Sequence, residues 1–192
     1  ETLVKIRRDE QLAAAKILGV KDVRFLPFED GGMYDEVALR IEIAKVIAEI
    51  KPDVVIGPDH KLYPESHPDH LRVGEAVSKA YFMCSNVNMM KSVGATQIAK
   101  PTVLAYYFTG KPNKYVKIAK KDFEKTKAAY ACFVSQCPPP DNGKSLMLYM
   151  RLKVRLNGLR SFHIRADAFR VMNNMHIHCC GEAEDTAIRR PL

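Results

Sequence analysis

Two short apolar runs constrain the fold more than any other feature of the chain: Asp53-Val54-Val55-Ile56-Gly57 and Thr102-Val103-Leu104-Ala105-Tyr106-Tyr107-Phe108. Neither alternates apolar with polar side chains, so each reads as a buried strand, covered on both faces as strands of a parallel sheet are. Around them lie stretches of helical period. Residues 2–18 set Leu3, Ile6, Leu12, Ala13, Ile17 and Leu18 among charges, with Gly19 as a stop. Residues 34–50 repeat the pattern with Val37, Ile41, Ala44 and Ala48 alongside Ile43, Ile47 and Ile50, and Pro52 ends it. The same reasoning predicts helices over 67–84 and 120–135 and a basic helix over 144–157. It also predicts strands at Val23–Leu26 and Lys114–Ile118, with short extended pieces near the end. Pro138-Pro139-Pro140 makes a loop too short to separate domains. Residues 1–192 are therefore expected to form a single α/β domain, with a mainly parallel sheet covered by helices on both faces.

Composition removes several classes. At 192 residues with 47% apolar and 27% charged side chains, the chain can bury a full core and is not of disordered type. No apolar run approaches the roughly 18 residues of a spanning helix, and Glu1-Thr2-Leu3-Val4-Lys5 has no signal-peptide pattern. The chain opens without Met inside a helical pattern, so its natural N-terminus is expected to lie upstream. The net charge of +8 comes with no nucleic-acid-binding motif, and no such partner is expected. Cys84, Cys132, Cys137, Cys179 and Cys180 form neither a CxxC pair nor a spaced framework, which favours a reduced, cytoplasmic setting.

Chemistry concentrates in Ser66-His67-Pro68-Asp69-His70, just past the 53–57 strand, where ligands gather in open α/β sheets. Ser66 is the expected N-cap, with Asp69 as a capping-box partner and Pro68 in the first turn. His67 and His70 share one helix face, and the positive helix end favours neutral, ligating imidazoles. The bland alternative is a capped helix start with two exposed histidines. A metal site needs further ligands, and local sequence ties none of His60, His163, His176 or His178 to this turn. His176-Ile177-His178-Cys179-Cys180 invites a second metal site, but packing or a surface role is expected; one of its histidines reaching a neighbouring subunit's pocket is a further option. Residues 106–108 are expected in the core rather than as a sugar platform, and Met83, Met89 and Met90 in packing.

Five pieces in order carry a family likeness. They are Ile6-Arg7-Arg8-Asp9-Glu10 with Ile17-Leu18-Gly19-Val20; Phe25-Leu26-Pro27-Phe28-Glu29-Asp30-Gly31; Ile50-Lys51-Pro52-Asp53-Val54-Val55 ahead of His67-Pro68-Asp69-His70-Leu71-Arg72-Val73-Gly74; Lys127 through Gln136; and Ala166-Asp167-Ala168-Phe169. Together they resemble the PIG-L/LmbE family of zinc-dependent N-deacetylases. Within it, Pro64 to His70 and Ala105 to Phe108 most resemble the archaeal chitobiose-type enzymes.

The resemblance implies a Rossmann-like fold, a Zn2+ cofactor, and hydrolysis of the N-acetyl group of GlcNAc units in a small chitin-derived sugar such as diacetylchitobiose. It implies a homo-oligomer and no membrane partner. His70 would be a zinc ligand, His67 would stabilise the oxyanion, and Asp69 would orient a histidine. Arg7 and Asp30 match positions that contact the sugar; on the residues alone, Arg7 reads equally as a surface ion pair and Asp30 as a turn former. The alternatives are deacetylation of another GlcNAc conjugate (a thiol precursor or a glycolipid) and a non-catalytic sugar- or nucleic-acid-binding domain. The family's His-Pro-Asp-Asp-Glu motif, which would bring two more zinc ligands and the general base, does not occur in the 192 residues. The expectation is a longer parent protein, with the N-terminal part of the fold absent here.

Overall fold

A computed structural model describes residues 2–178. The helices are α1 (Leu3–Leu18), α2 (Glu36–Ile50), α3 (Pro68–Met83), α4 (Val87–Ser92), α5 (Lys120–Tyr130) and α6 (Lys144–Arg160). The strands are β1 (Val54–Pro58), β2 (Val103–Tyr107), β3 (Lys114–Lys117) and β4 (Ala166–Met172), and Val134–Gln136 makes a 3₁₀ turn. The chain divides into two compact units. One comprises the described residues up to Phe25 and Tyr115–Asp167; the other comprises Leu26–Lys114 and the described residues from Ala168 onward.

The expected α/β architecture is present, but the sheet is mixed rather than mainly parallel, in the order β1-β2-β4-β3. β1 runs parallel to β2, from Val54 beside Val103 to Pro58 beside Tyr107. β4 is antiparallel to β2 and sets Met172 opposite Leu104 and Arg170 opposite Tyr106.

In the first unit α1 packs on α5 and on the 3₁₀ turn. α1 ends as the sequence predicts, with Gly19 left-handed at φ 80°. The Glu10 carboxylate accepts from the Ser135 N–H and the Ser135 hydroxyl, each at 2.7 Å. Those bonds hold the Glu10 carboxyl below its ordinary range. They also explain why the Arg7-to-Glu10 motif and the Lys127–Gln136 stretch go together. α5 stops at Tyr130, short of the predicted 135, and α6 continues to Arg160, past the predicted 157.

The second unit carries the site. Ala44 and Ala48 on α2 and Ala76 and Ala80 on α3 are all buried, and such small side chains let the two helices approach closely. Val55, Val77, Tyr81, Met83, Met90, Leu104 and Tyr106 complete the core. Met83 and Met90 are buried and Met89 packs against the same core, as the sequence predicts. α4 was not foreseen; the Asn86 side chain caps it by accepting from the Asn88 and Met89 N–H groups.

Three further expectations are corrected. Val23–Leu26 is not a strand. Asp22 pairs with Arg24 at 2.7 Å, Pro27 has no N–H to donate, and the Phe28 N–H closes a tight turn on the Leu26 carbonyl. β1 is not buried on both faces: Val54 and Ile56 are 46% and 56% exposed, because nothing among the described residues covers that side. Ser66 does not cap α3; His67 is the N-cap residue and makes no side-chain cap bond.

Gly74 fixes the distance between α3 and β1. A Cβ there would overlap the Pro58 carbonyl oxygen and stand 3.0 Å from the His60 backbone nitrogen and Cβ. Since backbone cannot yield as a side-chain tip can, Gly74→Ala is expected to destabilise the protein by about 2–4 kcal/mol, read as a lower urea midpoint at unchanged m-value.

Candidate functional site

The site grows from the chain just beyond the carboxyl end of β1. Pro68 opens α3, and His67 and His70 project from its first turn with their rings stacked at 4.7 Å between centroids. The shared face predicted from their spacing is therefore realised. Phe108, just past β2, lies 6.0 Å from the His70 ring and is 44% exposed, while Tyr106 is 1% exposed. Of the aromatic trio expected in the core, only Tyr106 is fully buried; Tyr107 and Phe108 lie past the covered part of β2.

Two carboxylates organise this turn. Glu65 Oε1 accepts from the N–H groups of Ser66 and His67 at 2.9 and 2.8 Å, and Oε2 stands 2.8 Å from His70 Nδ1. The bond to His70 and those backbone bonds pull the Glu65 carboxyl down to about 2. Asp69 reaches away from its own helix. Its oxygens accept from the Gly31 and Gly32 N–H groups at 2.8 and 3.0 Å, and it stands 3.7 Å from His67 Nδ1. Partial burial pushes the Asp69 carboxyl up, but the Gly31 N–H and the other donors around it outweigh burial and hold it below its ordinary range.

The turn that Asp69 captures needs its glycines. Gly31 and Gly32 have φ of 100° and 74°, and a Cβ on Gly32 would come within 2.8 Å of Pro68 Cβ. The turn thus seats directly on the start of α3. Arg72, one turn further along, donates to the Tyr34 carbonyl and pairs with Glu36 at 3.4 Å. Burial, reinforced by the Asp69 carboxylate, pushes the Tyr34 phenol up to about 12.

As a result Asp30, His67 and Asp69 each offer a ligand atom within 4.8 Å of the others. Donors of these types suit a divalent cation, but the Asp69 oxygens here accept from Gly31 and Gly32, so the trio is a polar cluster beside His70 rather than a full ligand set. His70 is not part of this trio, but it is stacked on one of its members. Arg7 lies exposed on α1 in the first unit, where its charge acts on Glu10. His176 closes a local turn, its Nδ1 accepting from the Asn173 N–H at 3.3 Å, and His178 stacks on Phe82 at 5.4 Å. Cys179 and Cys180 lie outside the described residues.

Sequence reasoning missed Glu65, Tyr34 and Arg72, and also an ion pair set behind the site. Arg170 grips Asp59 through Nε at 2.9 Å and through Nη2, and stacks over Tyr106 at 4.6 Å. Its place opposite Tyr106 in the β2–β4 register brings it there. The signal for Glu65 was present, an acid two residues before His67. Nothing local joins Asp59 to a residue 111 positions away.

An α/β sheet with a histidine–carboxylate turn beyond a strand end defines a protein with a candidate metal centre. Residues 1–81 match the family described as PIG-L, GlcNAc-PI de-N-acetylase. Diacetylchitobiose deacetylase of Thermococcus kodakarensis is 32% identical over 178 residues, covering 91% of this chain and 65% of that protein. A probable N-acetyl-alpha-D-glucosaminyl L-malate deacetylase 2 of Bacillus anthracis is 39% identical over 84 residues, 42% of this chain and 35% of that protein. Among solved structures, N,N'-diacetylchitobiose deacetylase from Pyrococcus horikoshii superposes with a TM-score of 0.84 at 27% identity, over 96% of this chain and 69% of that one. The match to the PIG-L family model covers residues 1–81, and the chain is similar to these deacetylases over most of its length. It spans 65% of the length of its Thermococcus relative.

The Asp59–Arg170 pair yields a stability prediction. Asp59 is 4% exposed. Burial raises its carboxyl, yet Arg170, the Thr109 hydroxyl and the Lys61 N–H outweigh that and hold it below its ordinary value. Asp59→Ala strands a buried guanidinium and is expected to cost about 3–5 kcal/mol in denaturant unfolding. Because the folded carboxyl is the more acidic, this contribution is complete above about pH 5. It falls away as pH drops below about 4 and through the lower folded value, so wild type and variant should converge in acid.

Proposed function

We propose that this chain forms the histidine-bearing part of a metal-dependent N-deacetylase acting on GlcNAc units of a small chitin-derived sugar such as diacetylchitobiose. The observation that carries this reading is the first turn of α3, where two stacked imidazoles stand beside carboxylates at a strand end. Its near relatives in sequence and in structure are named as deacetylases of that sugar. The match to a glucosaminyl malate deacetylase keeps another GlcNAc conjugate as the alternative substrate.

Zinc, when bound, supplies a water acidified toward neutral pH and polarises the acetamide carbonyl. His70 holds the metal through Nε2, since its Nδ1 is occupied by Glu65. His67 faces the acetamide oxygen and steadies the negative charge that develops there. Asp69 fixes the Asp30-Gly31-Gly32 turn, and Asp30 binds the sugar hydroxyls. Assembly as a homo-oligomer and a cytoplasmic setting belong to the same reading. No described helix is long and apolar enough to cross a membrane.

The test is acetate release from N-acetylglucosamine and its dimer by the full-length protein, with zinc and with a chelator. Chelator-sensitive release is expected. His70→Ala should lose the metal and the activity together. His67→Ala should keep the metal and lower kcat by about 10²–10³-fold. A protein that binds the dimer without releasing acetate in any condition is a binding module instead.

A further inference from the structure

A carboxylate only accepts hydrogen bonds. The 2.8 Å contact between Glu65 Oε2 and His70 Nδ1 therefore requires the proton on Nδ1, and in the neutral ring leaves the lone pair on Nε2. Glu65 is itself held. Its other oxygen accepts from the Ser66 and His67 N–H groups, and its own N–H donates to the Leu62 carbonyl at 3.0 Å. A carboxylate tied down by backbone cannot follow the imidazole, so the imidazole follows the carboxylate.

Asp69 is the residue that family resemblance would assign to this task. Its oxygens are spent on Gly31 and Gly32, and its distance of 3.7 Å to His67 Nδ1 is beyond hydrogen-bond length. The two acids thus divide the work. Asp69 builds the turn that carries Asp30, and Glu65 sets a histidine.

We propose that Glu65 is the positioning residue of the site: it fixes His70 as the Nδ1–H tautomer and aims Nε2 at the metal. The effect on metal binding rests on the deacetylase reading above. The effect on the imidazole does not, because it is a property of the metal-free protein. Glu65 raises the donor strength of Nε2 through the shared proton, as outer carboxylates do for metal-bound imidazoles.

The experiment compares wild type, Glu65→Ala and Glu65→Gln as ¹⁵N-labelled, metal-free full-length proteins. Long-range ¹H–¹⁵N spectra read the His70 ring nitrogens, with His70→Asn supplying the assignment and the thermal midpoint reporting folding. Wild type is expected as the Nδ1–H form. Glu65→Ala should move His70 toward the Nε2–H form that free imidazole favours, and Glu65→Gln, which keeps an acceptor oxygen, should restore the wild-type pattern. In parallel, zinc affinity by chelator competition should fall about 10–100-fold in Glu65→Ala and recover most of that loss in Glu65→Gln. If His70 gives the same ring signals in wild type and in folded Glu65→Ala, the proposal is overturned, whatever the zinc titration shows. If the tautomer shifts as expected but wild type binds no zinc, Glu65 keeps its role and the deacetylase reading fails. Should Glu65→Ala fail to fold, Glu65→Gln against wild type decides: loss of the Nδ1–H form there overturns the idea, and its retention supports it.

Discussion

Helix α3 lies so close to β1 that the Gly74 position has room for hydrogen alone before it meets the Pro58 carbonyl and His60. Much of the second unit depends on that approach. Alanines at 76 and 80 continue the narrow face, so α2 packs on α3 through equally small side chains. With the helix pressed onto the strand over Gly74, the turn one step earlier is carried past the strand end. His67, Asp69 and His70 stand there, held by a backbone contact rather than by side chains that could change rotamer.

The site is then arranged by acids that serve as acceptors. Asp69 satisfies two backbone N–H groups of a glycine turn 37 and 38 residues upstream, and so joins the Asp30 loop to the helix that carries the histidines. Glu65 does the same over a short span for Ser66, His67 and His70. Asp59 lies behind them, buried against Arg170 where β4 runs beside β2. A buried charge pair of this kind adds little net stability compared with apolar packing, but it penalises any arrangement that separates its members. That makes it a device for holding β4 in register with the strands that end at the site.

α2 and α3 follow the 3.6-residue period because each buries one stripe against a neighbour and the stripe is written in its own residues; α1 is the predicted helix, but Leu3, Leu12, Ile17 and Leu18 of its apolar pattern are exposed and Ala14 and Ala15 are the buried pair. Val23–Leu26 looked like a strand on composition, but a strand exists only with a partner, and local ion pairing and a turn took its backbone instead. Val54 and Ile56 carried the signature of a buried strand and are half exposed, since burial depends on what other segments cover. The N-cap of α3 misled for a similar reason. Ser66 has the right side chain, but Glu65 holds the Ser66 and His67 N–H groups and the helix begins one residue later, with His67 at its cap.

The sequence by itself determined the five longer helices apart from their ends, the two core strands, the shared face of His67 and His70 and the family likeness, since all of these depend on residue type at short spacing. Only the tertiary structure decided which acid serves which partner. Asp69 turns to Gly31 and Gly32 rather than to its own helix, Glu65 takes His70, and Arg170 crosses 111 positions to reach Asp59. The physical reason is that a carboxylate accepts from whichever donors packing places within about 3 Å. Packing is settled by helix and strand faces far apart along the chain, where local spacing carries no information.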